Sequence, residues 1–78
     1  MELPTGVRTA VLKLLVAVET GESIQAVNMA SQRAEGFVLG LETAHALKPD
    51  MIEFLYTNFD AAAAQQRTAI CDAMKALN

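Results

Sequence analysis

The chain has 78 residues, 53% of them hydrophobic, and a net charge of −3. This length allows a single domain with a thin core, which cannot shelter so many apolar side chains, so we expect apolar surface or a partner that covers it. The 6 basic residues stand singly along the chain, which argues against a phosphate-binding stripe.

The compartment is also constrained by composition. The single cysteine excludes an internal disulfide, and the acidic start Met1-Glu2 differs from the basic start of a signal peptide. The longest apolar run, residues 7–18, is too short to span a bilayer and contains Arg8 and Lys13. We therefore expect a cytoplasmic protein that makes no membrane contact.

The first helix is predicted over about residues 5–20. Its main apolar stripe consists of Val7, Val11, Leu14, Leu15 and Val18. Leu12 and Val16 lie on the opposite side of the helix. One apolar stripe is enough to pack against the core, so these two residues form a second apolar patch that the bundle does not need. Gly21 suits a left-handed C-terminal cap, and Ser23 suits the N-cap of the next helix.

The second helix is predicted over about residues 24–47. Apolar spacings of three and four mark a seam of Ile24, Val27, Ser31, Ala34, Val38, Leu41 and His45. The opposite flank carries Met29, Gly36 and Gly40. Small residues four apart form a ridge that another helix could approach closely, either the first helix or a second subunit. The alternative is that both glycines are tolerated at a kink.

The third helix is predicted over about residues 49–77, with Pro49 at its first position. Asp60 could cap a separate fourth helix, with a break near residues 58–60. The apolar stripe keeps its phase across that point, which favours one helix of roughly 43 Å, longer than the roughly 30 Å diameter of a compact chain. The stripe runs through Met51, Ile52, Leu55, Tyr56 and Phe59 and continues as Ala63, Ile70, Met74 and Leu77. Phe54 lies off the stripe and is a further candidate contact.

The short turn at Lys48-Pro49 makes the second and third helices antiparallel neighbours. Folding about it pairs Val38 with Phe59 and Val27 with Ile70. It also brings Ser31 opposite Gln66, which predicts a polar layer that fixes the pairing.

Reactive side chains are few. His45 falls at the end of the second helix, where capping or packing explains it better than catalysis. Cys71 has Arg67 and Lys75 one turn away on either side, but a half-buried small side chain is the simpler interpretation. The pattern predicts no catalytic, metal-binding or cofactor-binding residue and no enzymatic activity.

The sequence therefore predicts an all-α up-down-up bundle of three or four helices, completed by homodimerisation. The favoured function is a non-enzymatic protein–protein interaction module that acts as a regulator, adaptor or inhibitor. Its candidate contacts are Leu12, Val16, Met29, Gly36, Gly40 and Phe54. One alternative is a dimeric nucleic-acid-binding regulator that uses the polar face of Gln25, Asn28, Gln32 and Arg33, although Glu35 and Glu42 lie nearby. The other is a small-molecule site inside an oligomer core.

Overall fold

The computed structural model describes residues 3–77 and consists of three helices. α1 spans Thr5–Glu19, α2 spans Ile24–Thr43 and α3 spans Pro49–Ala76. All three pairs of helices are in contact, so the chain forms an up-down-up bundle. The described residues include no strand, which confirms the predicted all-α class.

α3 runs without a break through residues 58–60. The favoured single long helix is therefore confirmed, and the alternative of a fourth helix that begins at Asp60 is not seen. Its 28 residues give a length of about 42 Å at the standard rise. The molecule is accordingly 48 Å long and only about 20 Å wide.

The connection between α1 and α2 contains the N-cap of α2 and lies close to the α2 backbone. Ser23 caps α2, since its hydroxyl accepts a hydrogen bond from the Ala26 amide at 3.0 Å, as predicted. The prediction of a left-handed cap at Gly21 is wrong, because no glycine among the described residues has positive φ. A Cβ at Gly21 would instead lie 2.8 Å from Val27 Cγ2 and 3.1 Å from the Val27 amide nitrogen. Position 21 therefore has no room for a side chain, because the connection lies directly against Val27 of α2.

α2 ends at Thr43, four residues before the predicted boundary at 47. His45 takes the left-handed conformation with φ of 53°, and the amide of Ala46 donates to the Leu41 carbonyl oxygen at 2.9 Å. The His45 amide donates to the Glu42 carbonyl oxygen at 3.1 Å. This Schellman arrangement satisfies the last carbonyl groups of α2 and stops the helix, although the apolar spacing continues to Leu47.

The core consists of two stacked groups of buried side chains. The group near the α2–α3 turn contains Ala34, Val38, Ile52, Leu55 and Phe59. The group near the α1–α2 connection contains Val18, Val27, Ala62 and Ala63, with Ile70 packed against it. Val38 and Phe59 share the first group, and Val27 and Ile70 meet in the second. These core groups are consistent with the predicted pairing of α2 with α3.

Candidate protein interaction surfaces

The candidate contacts on α1 are exposed in the structure. Leu12 and Val16 are each 54% exposed, one helical turn apart, on the face turned away from the buried Val18. Arg8 and Lys13 are exposed on the same helix, so the apolar pair has a charged border. The two side chains form a short ridge of apolar surface that no other described residue covers.

On α2 the candidate residues lie opposite the core. Met29 is 58% exposed, and a Cβ placed on Gly36 or Gly40 would meet no atom within 4 Å. α1 therefore does not pack on the glycines, which removes one of the partners predicted for the ridge. A second subunit and simple tolerance both remain as interpretations of Gly36 and Gly40. Leu39, which the sequence pattern did not single out, is also exposed beside them.

On α3 the candidate Phe54 is about half exposed. The side-chain Nδ2 of Asn58 donates to the Phe54 backbone carbonyl oxygen at 2.7 Å, a local contact within α3 that does not involve the ring. The six candidate residues are therefore exposed on all three helices, two on α1, three on α2 and Phe54 on α3.

The most exposed apolar side chains belong to the C-terminal end of α3. Leu77 is 86% exposed and Met74 is 59% exposed, although both lie on the stripe predicted to face the core. The cause is helix length: α2 begins at Ile24, level with Ala73 in the predicted pairing, so no α2 residue lies opposite positions 74–77. The projection agrees with the predicted length of the third helix, although Met74 and Leu77 were not predicted to be the exposed residues.

The polar positions of the seam are partnered differently from the prediction. Ser31 is buried and Gln66 is half-buried, as bundle-interior residues should be. However, Gln66 Nε2 donates to the Gly21 carbonyl oxygen at 2.7 Å, so its hydrogen bond ties α3 to the α1–α2 connection. Ser31 instead lines a polar groove together with Arg67, whose guanidinium donates to Asn28 Oδ1 at 3.0 Å.

That groove bears on the nucleic-acid alternative. Its lining includes Asn28 and Gln32 of the polar face, but also Glu35 and Asp60. Two carboxylates surround the single guanidinium of Arg67, so the groove carries more negative than positive charge. Such a surface attracts a phosphate backbone poorly.

The titratable side chains are dispersed. His45 serves the end of α2, whereas Cys71 is exposed near the far end of α3. Within residues 3–77 there is no group of three or more histidine, cysteine or carboxylate side chains arranged to hold a metal ion. Partial burial, and then the nearby negative charge of Glu42, raise the pKa of Tyr56 above its ordinary value.

Two further findings concern whole helices and the whole sequence. Across the described part of the chain, no helix combines the length and apolar character needed to cross a bilayer. No protein-family model, curated protein or solved structure matches the chain.

Proposed function

We propose that this chain is a non-enzymatic helical module that acts in the cytoplasm as a homo-oligomer, binding another protein as a regulator, adaptor or inhibitor. One observation carries the proposal: all three helices expose large apolar side chains to about half of their surface or more. They are Leu12, Val16, Met29, Leu39, Phe54, Met74 and Leu77. Adjacent exposed apolar side chains, such as Leu12 and Val16 on α1, form the kind of patch that marks a protein interaction surface.

The exposed apolar patches differ in the side chains that they present to a binding partner. Leu12 and Val16 give a binding partner two adjacent side chains with the spacing of one helical turn, a common recognition element between helices. Phe54 adds an aromatic ring, a residue type enriched at the centres of interfaces. The borders of these patches are polar, which suits contacts that form and separate.

The proposal is tested by site-specific photo-crosslinking in cells that make this protein. A photoreactive phenylalanine analogue replaces Val16 or Phe54 in separate variants, and the exposed polar Gln25 of α2 serves as the control position. We expect the apolar positions to yield the same discrete cross-linked proteins and the control to yield none of them. Equal cross-linking from all three positions would contradict a specific binding surface.

A second experiment introduces negative charge into the apolar patch of α1. Leu12→Asp combined with Val16→Asp places two carboxylates in the α1 patch without touching the core. We expect loss of the cross-linked species with unchanged helix content. If these variants change neither the oligomeric state nor the cross-linked species, the α1 patch has no part in the function.

A further inference from the structure

A cavity of about 210 Å³ lies at the turn between α2 and α3. Its lining consists of Glu42, His45, Leu47, Pro49 and Ile52. Ile52 is buried and Leu47 is half-buried, whereas Glu42 and His45 are exposed. Apolar side chains therefore form the inner part of the cavity, and two polar side chains stand at its mouth.

The backbone of His45 indicates that its side chain has a role at this cavity. Its φ of 53° belongs to the left-handed region, where glycine is the residue without steric cost. The Schellman arrangement that ends α2 needs this conformation but needs no side chain at this position. Strain that is retained in this way is typical of ligand-binding and active sites. What histidine adds over glycine is an imidazole, and that imidazole lines the cavity.

The charge around the cavity is negative. Residues 42–53 contain three carboxylates, from Glu42, Asp50 and Glu53, and one ammonium group, from Lys48. The partial negative charge at the carbonyl end of α2 adds to them. The partial positive charge at the start of α3 is offset by the Asp50 carboxylate, which accepts a hydrogen bond from an amide of the first turn at 3.1 Å. This end of the bundle therefore favours a cationic ligand and repels an anionic one.

The two polar side chains at the mouth have free capacity to accept hydrogen bonds. The Tyr56 hydroxyl donates to Glu42 Oε1 over 3.5 Å, which is at the long limit for such a bond. A carboxylate accepts about four hydrogen bonds, so Glu42 can accept from a ligand and keep its contact with Tyr56. A neutral imidazole also has one acceptor nitrogen, so His45 offers a second acceptor to the same ligand.

We propose that this cavity binds a small organic ammonium ion. The ammonium N–H groups donate to the Glu42 carboxylate and to the imidazole of His45, and the hydrocarbon part of the ion packs on Leu47, Pro49 and Ile52. This ligand site is separate from the protein-binding patches of the proposed function and goes beyond that function.

The dimensions and the donor set of the cavity exclude other classes of ligand. Pockets for drug-sized molecules measure roughly 300–1,000 Å³, so a cavity of about 210 Å³ takes a smaller molecule. A metal ion needs more side-chain ligands than Glu42 and His45 supply, and residues 3–77 contain no cluster that provides them. A carboxylate or phosphate ligand would be repelled by Glu42.

The test is a nuclear magnetic resonance titration of the purified, isotopically labelled full chain with benzylammonium chloride at constant ionic strength. We expect saturable shifts of the backbone amide signals within residues 42–52. The dissociation constant should be on the order of 1 mM, because a ligand with so few atoms gains little binding energy. Benzyl alcohol has the same ring without the charge, and benzoate has the opposite charge. Both should bind at least about fivefold more weakly than benzylammonium.

Three variants assign the binding to the cavity. Glu42→Gln keeps the size of the side chain and removes its charge, so it should raise the dissociation constant for benzylammonium at least about threefold. His45→Gly should weaken binding by a similar factor, and because it relieves backbone strain the loss cannot come from unfolding. Glu22→Gln lies at the opposite end of the bundle, changes the net charge by the same amount as Glu42→Gln, and should leave the affinity unchanged.

Three results would overturn the proposal. They are shifts that do not saturate or that spread over the whole surface, benzoate binding as tight as that of benzylammonium, and a Glu42→Gln chain that binds the ion like the unaltered chain. Because the titration needs only the pure chain, its result is independent of the cross-linking of a foreign protein.

Discussion

Replacing Gly21 with alanine is expected to destabilise the bundle, whereas the same change at Gly36 and Gly40 is expected to stabilise it. The added Cβ at position 21 would lie 2.8 Å from Val27 Cγ2, 3.1 Å from the Val27 amide nitrogen and 3.3 Å from Val27 Cα. Val27 is completely buried, and two of the three contacts are with backbone. Neither can yield without moving the start of α2.

The magnitude follows from two opposing effects. Overpacking of this kind costs about 1–3 kcal/mol, and the loss of glycine freedom in the unfolded chain returns about 0.4–1 kcal/mol. We expect a net loss of about 1–2 kcal/mol in the free energy of unfolding. For a domain of this size the melting temperature falls by about 5–15 °C.

The matched controls are Gly36→Ala and Gly40→Ala. Both glycines lie inside α2 and have nothing within 4 Å of the added carbon, so alanine gains about 0.5–1 kcal/mol at each through helix propensity. Urea denaturation followed by circular dichroism at the helix signal measures all three variants. A Gly21→Ala chain as stable as the unaltered one would refute the argument that the connection is held tightly against α2.

Two further predictions concern single side chains. His45→Gly is expected to raise the free energy of unfolding by about 1 kcal/mol, because glycine adopts the left-handed conformation at φ of 53° without steric cost. His45→Ala retains that cost and serves as the control; equal denaturation midpoints for the glycine and alanine variants would contradict the explanation. Tyr56 is the only tyrosine in a chain without tryptophan, so its phenol can be titrated by ultraviolet absorbance alone. The midpoint should lie above the ordinary value of 10.0, and Glu42→Gln should move it back toward that value. Since the folded pKa is raised, the stability linked to Tyr56 is present below about pH 10 and is lost as the pH rises through the folded pKa. A midpoint at or below 10.0 would contradict the burial and charge argument.

The sequence predicted the helices and their pairing because the apolar spacing is regular. Val27, Ala34 and Val38 recur at intervals of four and seven, and all three are completely buried. Spacing of this kind reports which face of a helix is inside. The same spacing placed Val38 with Phe59 and Val27 with Ile70, which belong to or pack against the same core groups in the structure.

Local backbone geometry was predicted less well. Gly21 was expected to end α1 in the left-handed conformation, but it does not adopt it and lies where a side chain would collide with Val27. The left-handed residue of the structure is His45, which ends α2, where none was predicted. Both choices depend on how the following segment leaves the helix, which residue type alone does not specify. The end of α2 was missed for the same reason, since apolar residues continue past the Schellman cap.

The candidate contacts were predicted as apolar positions off the core stripe, and their exposure agrees with that reasoning. A third helix longer than a compact chain was predicted, but Met74 and Leu77 were not singled out as exposed because both follow the apolar stripe. Periodicity identifies a face of a helix, but burial also requires an element opposite that face. Met74 and Leu77 satisfy the first condition and lack the second.

The projecting end of α3 has a consequence for the energetics of the helix itself. Beyond Ile70 the helix is held by its own backbone hydrogen bonds, without side-chain packing from α1 or α2, so its last turns open at a much lower free energy than the bundle. The stability of these last turns therefore depends mainly on the helix propensity of exposed residues such as Ala76, and not on the packing that holds the rest of α3.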